Sequence, residues 1–342
     1  MSNNSTLNAD ALVEDRAPIA GPRSAPLGPV SFPSLAEQPL VSVVVPSFNQ
    51  GKYIRATIDS ILSQDYRPIQ IVVMDGGSKD ETVEVLKSYG SIGELEWVSE
   101  RDRGPVDAVN KGFSRVRGAL VGIQSSDDLY HPGAIRRVVA EFQVRPEAGL
   151  VYGDCSAIDA TGTEISRVAQ PPFSLLELLR FRIWTPQPSA FFRRELLDVL
   201  GGWDDRIPFT PDTDLWIRIA LRCPVVKVDQ FVGAVRKHDE QRDKLGAKIV
   251  DSYKRMIAQS ADIAGSSPEI RAAAAAGSCL CEMKYGPKMN SWRRARLLWQ
   301  AGRHDPACRN LNRVARLVAV EPVINLLRRL KRAVVPRRNR SG

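Results

Sequence analysis

Residues 40–76, LVSVVVPSFNQGKYIRATIDSILSQDYRPIQIVVMDG, decide the fold class. Leu40 to Val45 form a near-continuous β-branched run, the pattern of a strand buried on both faces of a parallel sheet. Pro46 is expected to stop that strand. Ile54, Ile58, Ile61 and Leu62 then recur at helical spacing. IQIVVMD reads as a second buried strand, followed by a Gly76-Gly77 turn and a helix that Ser78 or Asp80 is expected to cap.

Working outward, the unit repeats. LEWVSE reads as a third strand, GPVDAVNKGFSRV as a third helix and ALVGIQSS as a fourth strand. Successive strand–turn–helix units imply an α/β fold with a mostly parallel sheet flanked by helices. The second half is less regular: a strand and hairpin through GLVYGDCSAIDATGTE, a helix at LLELLRFRI, and a strand and helix in QPSAFFRRELLDVLGG. An amphipathic helix at DTDLWIRIALR and a late strand at VVKVDQFVGAVRKH follow. We expect a disordered or extended leader over 1–38, a catalytic-type α/β domain over 39–245 and a helical, basic region over 246–342.

With 43% hydrophobic and 25% charged residues, 342 residues suffice for a large core. No run approaches the apolar length of a spanning helix, and no signal-peptide pattern opens the chain. Five cysteines make no even framework and no zinc spacing, which points to free thiols in a reducing cytoplasm. The net charge of +9 is unevenly placed. From residue 291 onward there are 14 Lys/Arg against two Asp/Glu, leaving 34 against 37 in the preceding 290 residues. The basicity belongs to the C-terminal region.

In an open parallel sheet, ligands bind beyond the carboxyl ends of the strands. Four polar turns fall there: PSFN, DGGSKDET, SERDRGP and SSDD. Neither a dinucleotide fingerprint nor a P-loop is present. Adjacent Asp127 and Asp128 are then explained by a divalent cation, Mn²⁺ or Mg²⁺, shared with substrate phosphates. The alternative is that one aspartate caps the next helix while the other is solvated.

These motifs, with QPSAFFRRELLDVLGGWDD and DTDLWIRIA, resemble the family 2 glycosyltransferases, inverting enzymes of GT-A fold; the likeness runs from about Leu40 to His238. The resemblance implies transfer of a sugar from a nucleoside-diphosphate sugar, carrying UDP or dTDP, to a saccharide or lipid-linked saccharide acceptor of a surface glycan. It places Pro46, Ser47, Phe48 and Asn49 around the base and ribose, with Asp75 accepting from the base imide. It places Asp102, Asp107 and Lys111 beside base and phosphates, and Gln187 on the sugar or acceptor side. Asp127 would face the ribose and Asp128 the metal, with His238 reaching the metal or diphosphate; SSDD departs from a literal D-x-D. Asp212 matches the position of the catalytic base, with Asp214 two residues on. The rival readings are a sugar-1-phosphate nucleotidyltransferase, for which PSFNQGKY is a poor loop, and a non-catalytic nucleotide-sugar-binding scaffold.

The tail INLLRRLKRAVVPRRNR sets Val323, Leu327, Leu330 and Val334 on one helical face amid arginines and lysine. It reads as a solvated face or as a peripheral contact with an anionic membrane on the cytoplasmic side. Nucleic acid is not expected as a partner, since the last 40 residues carry no aromatic side chain.

Overall fold

The computed structural model describes residues 29–238, 246–259, 263 and 265–311. The chain divides into two compact units, one formed by 1–178 with 183–244 and the other by 179–182 with 245–342.

The first unit is built on a nine-stranded sheet. Its strands are β1 (Val41–Ser47), β2 (Ile69–Asp75), β3 (Leu95–Ser99), β4 (Leu120–Ile123), β5 (Leu129–Tyr130), β6 (Leu150–Ile158), β7 (Glu164–Val168), β8 (Ala190–Arg193) and β9 (Val225–Arg236). The order is β3-β2-β1-β4-β8-β6-β9-β5, with β7 paired to β6. β3, β2, β1 and β4 run parallel, as the strand–turn–helix repeat predicts. β8 is antiparallel to β4 and β6, while β6 and β9 are parallel.

Helices cover both faces. α1 (Gly51–Leu62), α2 (Thr82–Lys87) and α4 (Ala134–Val144) bury Ile54, Ile58, Leu86, Val138 and Phe142 in one cluster with Val43, Ile71 and Leu120 of the sheet. Each such aliphatic side chain contributes roughly 1.5–3 kcal/mol of burial, as an upper bound. α3 (Pro105–Arg115) lies on the opposite face, where Ala108 meets Val72 and Met74. There Phe113 packs edge-on against Phe192 of β8, and Phe192 against Trp216 of α7 (Pro211–Ala220).

Two local expectations are corrected. Pro46 does not end β1, which continues to Ser47. The Ser47 carbonyl accepts from Gly76 and the Val44 carbonyl from Gln124, so alternate residues serve β2 and β4. Pro46 falls on the β4 side, beyond the last residue of β4, where no ladder bond is asked of its missing N–H. Ser78 does not cap α2. Asp80 sits just before that helix and accepts from the Thr82 N–H and hydroxyl.

Residues 29–38 carry no regular secondary structure and lie along the first unit. The buried Arg193 guanidinium stacks on Phe32, 4.8 Å from its ring centre, and donates to the Pro33 carbonyl. The rest of the expected leader, residues 1–28, lies outside the described residues.

α5 (Leu175–Leu179) and α6 (Glu195–Leu200) complete the helices up to β9. The second unit contains α8 (Gly246–Gln259), α9 (Pro268–Tyr285) and α10 (Ser291–His304). Ser267 and Asn290 cap the last two helices with side-chain oxygens. Inside this unit Arg180 and Asp305 form a buried ion pair at 2.6 Å. The expected tail helix and its membrane contact, from residue 312 onward, lie outside the described residues. Among the described residues no helix is long and apolar enough to cross a membrane. All five cysteines are free thiols.

Candidate active site

The turns after β1 and β2 are stitched together. Asn49, left-handed at φ 52°, donates its N–H to Ser78 Oγ at 2.7 Å and accepts from the Lys79 N–H at 2.9 Å. An Asn tolerates that backbone conformation better than most residues. Asp80 accepts from the Gly51 N–H, and Thr82 Oγ1 accepts from the Gln50 N–H. Phe48 is left exposed at the rim, while the Ser47 hydroxyl is buried with no hydrogen-bond partner.

Asp75 is buried inside its own turn. Its Oδ2 accepts from the Gly77 and Ser78 N–H groups and from Ser99 Oγ, and its Oδ1 from Ser78 Oγ at 2.5 Å. Four internal donors make it the organiser of the β2 turn. Asp102 stands in the space next to it: a Cβ added to Gly76 would lie 2.7 Å from Asp102 Oδ2. Only the Gly104 N–H donates to its Oδ1. Burial, then the charges of Asp107 and Asp75, holds the Asp102 carboxyl above the usual carboxylate range against the Gly104 bond. Asp107 and Lys111 of α3, by contrast, belong to an ion-pair network with Arg103 and Glu100, which precede the helix. Although burial works the other way, the bonds from Arg103 bring Asp107 below its ordinary value.

The SSDD turn follows β4. Asp128 closes it through its N–H to the Ser125 carbonyl, and Thr57 of α1 donates to the Asp128 carbonyl. β5 pairs with β9 in the register Leu129↔Ala234, which brings the end of β9 alongside both aspartates. The Arg236 N–H donates to Asp128 Oδ1 at 2.8 Å, and Arg236 Nε to the Asp127 carbonyl at 2.7 Å. His238 Nε2 lies 2.9 Å from Asp127 Oδ2. The Tyr53 ring of α1 packs against both, 4.9 Å from the His238 ring and 5.0 Å from the Arg236 guanidinium. Asp128 is 6% exposed. Burial and the neighbouring Asp127 charge push its carboxyl well above the ordinary range, against Arg236 and Lys237. Neither aspartate caps α4, whose N-cap is the left-handed Gly133 with no side-chain bond. That removes the helix-cap explanation of the pair.

Gln187 braces this turn from below. Its amide donates to the Ile123 carbonyl, and its carbonyl oxygen accepts from Ser125 Oγ at 3.2 Å. It therefore acts on the geometry of SSDD. The Gln124 side chain is buried with neither end hydrogen-bonded.

The two aspartates of α7 separate. Asp214 is buried and paired with Arg218, whose guanidinium reaches the Leu200 and Gly202 carbonyls at 2.9 and 2.8 Å. Asp212, in the first helical turn, is half-buried. Asn110 of α3 exchanges two hydrogen bonds with the Trp203 backbone, fixing the loop that leads into α7.

Sequence reasoning missed Arg236, Tyr53 and Thr57. The first lies 108 residues beyond Asp128, and no local pattern joins them. Among the described residues no group of three or more His, Cys, Asp or Glu side chains is assembled as a metal cage. The chemistry of the set nevertheless suits a hard cation: two carboxylates and an imidazole, one carboxylate buried against a like charge.

Residues 42–201 match the family described as Glycosyl transferase family 2. An uncharacterised glycosyltransferase of Rickettsia felis is 32% identical over 221 residues, covering 60% of this chain and 35% of that protein. This chain thus spans about a third of that relative's length. An uncharacterised glycosyltransferase of Mycobacterium tuberculosis is 30% identical over 197 residues, covering 57% of this chain and 74% of the relative. Among solved structures, a mannosyltransferase from Pyrobaculum calidifontis in complex with GDP-Man and Mn²⁺ superposes with a TM-score of 0.57 at 21% identity. That likeness covers 86% of this chain and 85% of the other, and it establishes the shared GT-A fold. The chain is a family 2 glycosyltransferase.

Proposed function

We propose that this glycosyltransferase is metal-dependent and inverting, and moves a sugar from a nucleoside-diphosphate sugar, UDP- or dTDP-linked, to a saccharide or lipid-linked saccharide acceptor. The observation that carries the proposal is the buried Asp128 beside Asp127, a pair whose charge Arg236 and Lys237 offset too little to overcome burial and mutual repulsion. The Mn²⁺ in the Pyrobaculum calidifontis complex is consistent with it.

The donor's base would enter between the Pro46–Asn49 turn and Asp102. The unpartnered Ser47 hydroxyl would gain a bond there, worth about 1–3 kcal/mol relative to staying buried and unmet. Asp102 Oδ2 is the carboxylate oxygen we assign to the base N–H, in place of the internally saturated Asp75. Asp107 and Lys111 act through their ion-pair network on the wall of the same pocket.

Asp127, Asp128 and His238 would hold Mn²⁺ or Mg²⁺, which when bound supplies positive charge to the diphosphate leaving group. Arg236 fixes the two aspartates by its bonds to the Asp127 carbonyl and to Asp128. Inversion at the anomeric carbon needs a carboxylate on the side opposite the leaving nucleotide to take the acceptor hydroxyl proton. Asp212 is assigned that role and Asp214 the task of bracing the α7 loop. Gln187 steadies the SSDD turn.

The test is calorimetric titration of UDP, dTDP and GDP with Mn²⁺ or with EDTA. Binding that needs the metal, and that weakens about tenfold in Asp102→Ala for one base, supports the assignment. Equal binding in EDTA, or binding indifferent to Asp102, overturns the metal or the base assignment respectively.

A further inference from the structure

Helix α10 of the second unit has two unlike faces. Ala295, Leu298 and Ala301 are buried in one cluster with Ala276 and Leu280 of α9 and with Cys308. On its outer side Trp292, Arg296, Trp299 and Arg303 follow one another at spacings of four, three and four, which places them on a single stripe. Trp292 is 62% exposed and Trp299 47%. The Arg303 guanidinium lies 4.9 Å from the Trp299 ring centre.

Single exposed hydrophobes need no explanation, but two tryptophans aligned on one helix do. An indole has an apolar body and one N–H donor, and it is best satisfied where water and an apolar phase meet. Arginine beside it can bury its stem while its guanidinium keeps phosphate company. Along the segment the charge has one sign: residues 283–304 contain six Lys/Arg and no Asp/Glu. Arg293 is engaged with Glu282 and stands outside the stripe. The sequence beyond the described residues, 312–342, continues the bias with nine Lys/Arg against one acid.

We propose that this stripe is a docking surface for an anionic phospholipid bilayer. The helix lies flat, the Trp292 and Trp299 rings sit at the headgroup–acyl boundary, and Arg296 and Arg303 meet lipid phosphates. A second copy of this chain fits poorly, because a symmetric contact would set one basic stripe against another. The stripe belongs to the second unit, so the proposal is independent of the donor site.

The full chain is tested by co-sedimentation with vesicles of phosphatidylcholine alone and of phosphatidylcholine mixed equally with phosphatidylglycerol. Preferential binding to the anionic vesicles is expected. It should fall about tenfold in Trp292→Ala/Trp299→Ala, and about twenty-fivefold in Arg296→Gln/Arg303→Gln at roughly fivefold per arginine. Thermal midpoint and nucleotide binding should not change, since all four side chains are exposed and outside the donor site. The proposal is overturned if the full chain ignores anionic vesicles, or if both vesicle types bind alike. It also fails if the tryptophan pair can be removed without effect. Loss of single-stranded RNA binding or of self-association in these variants, with vesicle binding intact, would assign the stripe to a different partner and reject the membrane.

Discussion

Asp128→Asn is expected to stabilise the metal-free protein while ending its activity. Asp128 is buried, and its charged form is opposed first by burial and then by Asp127. Neighbouring carboxylates at an effective dielectric of about 20 repel by roughly 3 kcal/mol. Asparagine removes that repulsion and keeps an oxygen for the Arg236 N–H, which now makes a neutral bond. Losing the charge assistance and the attraction of Arg236 and Lys237 costs about 1–2 kcal/mol. The net is a gain of about 1–2 kcal/mol, or roughly 2–8 °C in Tm for a unit of this size. Calorimetric melts near neutral pH in EDTA measure it. With saturating Mn²⁺ the order should reverse, because only the wild type gains the binding free energy of the ion. A variant that melts below the wild type in EDTA would refute the reasoning, and would make Asp128 a structural hydrogen-bond acceptor.

Three further outcomes are expected. Asp212→Asn should abolish sugar transfer while metal-dependent nucleotide binding persists, whereas Asp214→Asn should strand a buried Arg218 and cost about 3–5 kcal/mol of stability, read in urea melts. Gly76→Ala should displace the Asp102 carboxylate, weakening nucleotide affinity about tenfold by calorimetry while leaving the fold melt nearly unchanged. In the second unit, the bonds from Arg180 bring Asp305 below its ordinary value although burial alone would raise it. A depressed folded value means that the pair's contribution is complete above the unfolded carboxylate value of about 3.9 and is lost as pH falls through the folded one. Acid melts followed by circular dichroism should therefore show that loss only below about pH 4, and Arg180→Met should remove it.

The sequence made the parallel half of the fold legible because each strand there is a largely apolar run and each helix carries an apolar stripe. It located the four polar turns for the same reason, since they fall between those runs. What stayed hidden was reciprocity between distant segments. Asp75 reads as a ligand carboxylate, yet the Ser78 and Ser99 hydroxyls and two N–H groups consume its oxygens. Asp212 and Asp214 look equivalent two residues apart, and only the i+4 arginine on the buried side separates them. Arg236 is invisible in VGAVRKH because its meaning depends on the β5–β9 pairing. Pro46 misled because a proline ends a strand only where its neighbour needs the N–H. Family membership disfavours the nucleotidyltransferase alternative, and turnover bears on the scaffold alternative.

The most direct test is a donor-turnover screen. The protein would be incubated with a panel of UDP-, dTDP- and GDP-sugars, with Mn²⁺, Mg²⁺ or EDTA, and free nucleoside diphosphate counted against the Asp128→Ala variant. Release from one donor, lost in EDTA and in the variant, is the predicted result. Release that persists in EDTA or without the Asp128 carboxylate would contradict the account at its centre.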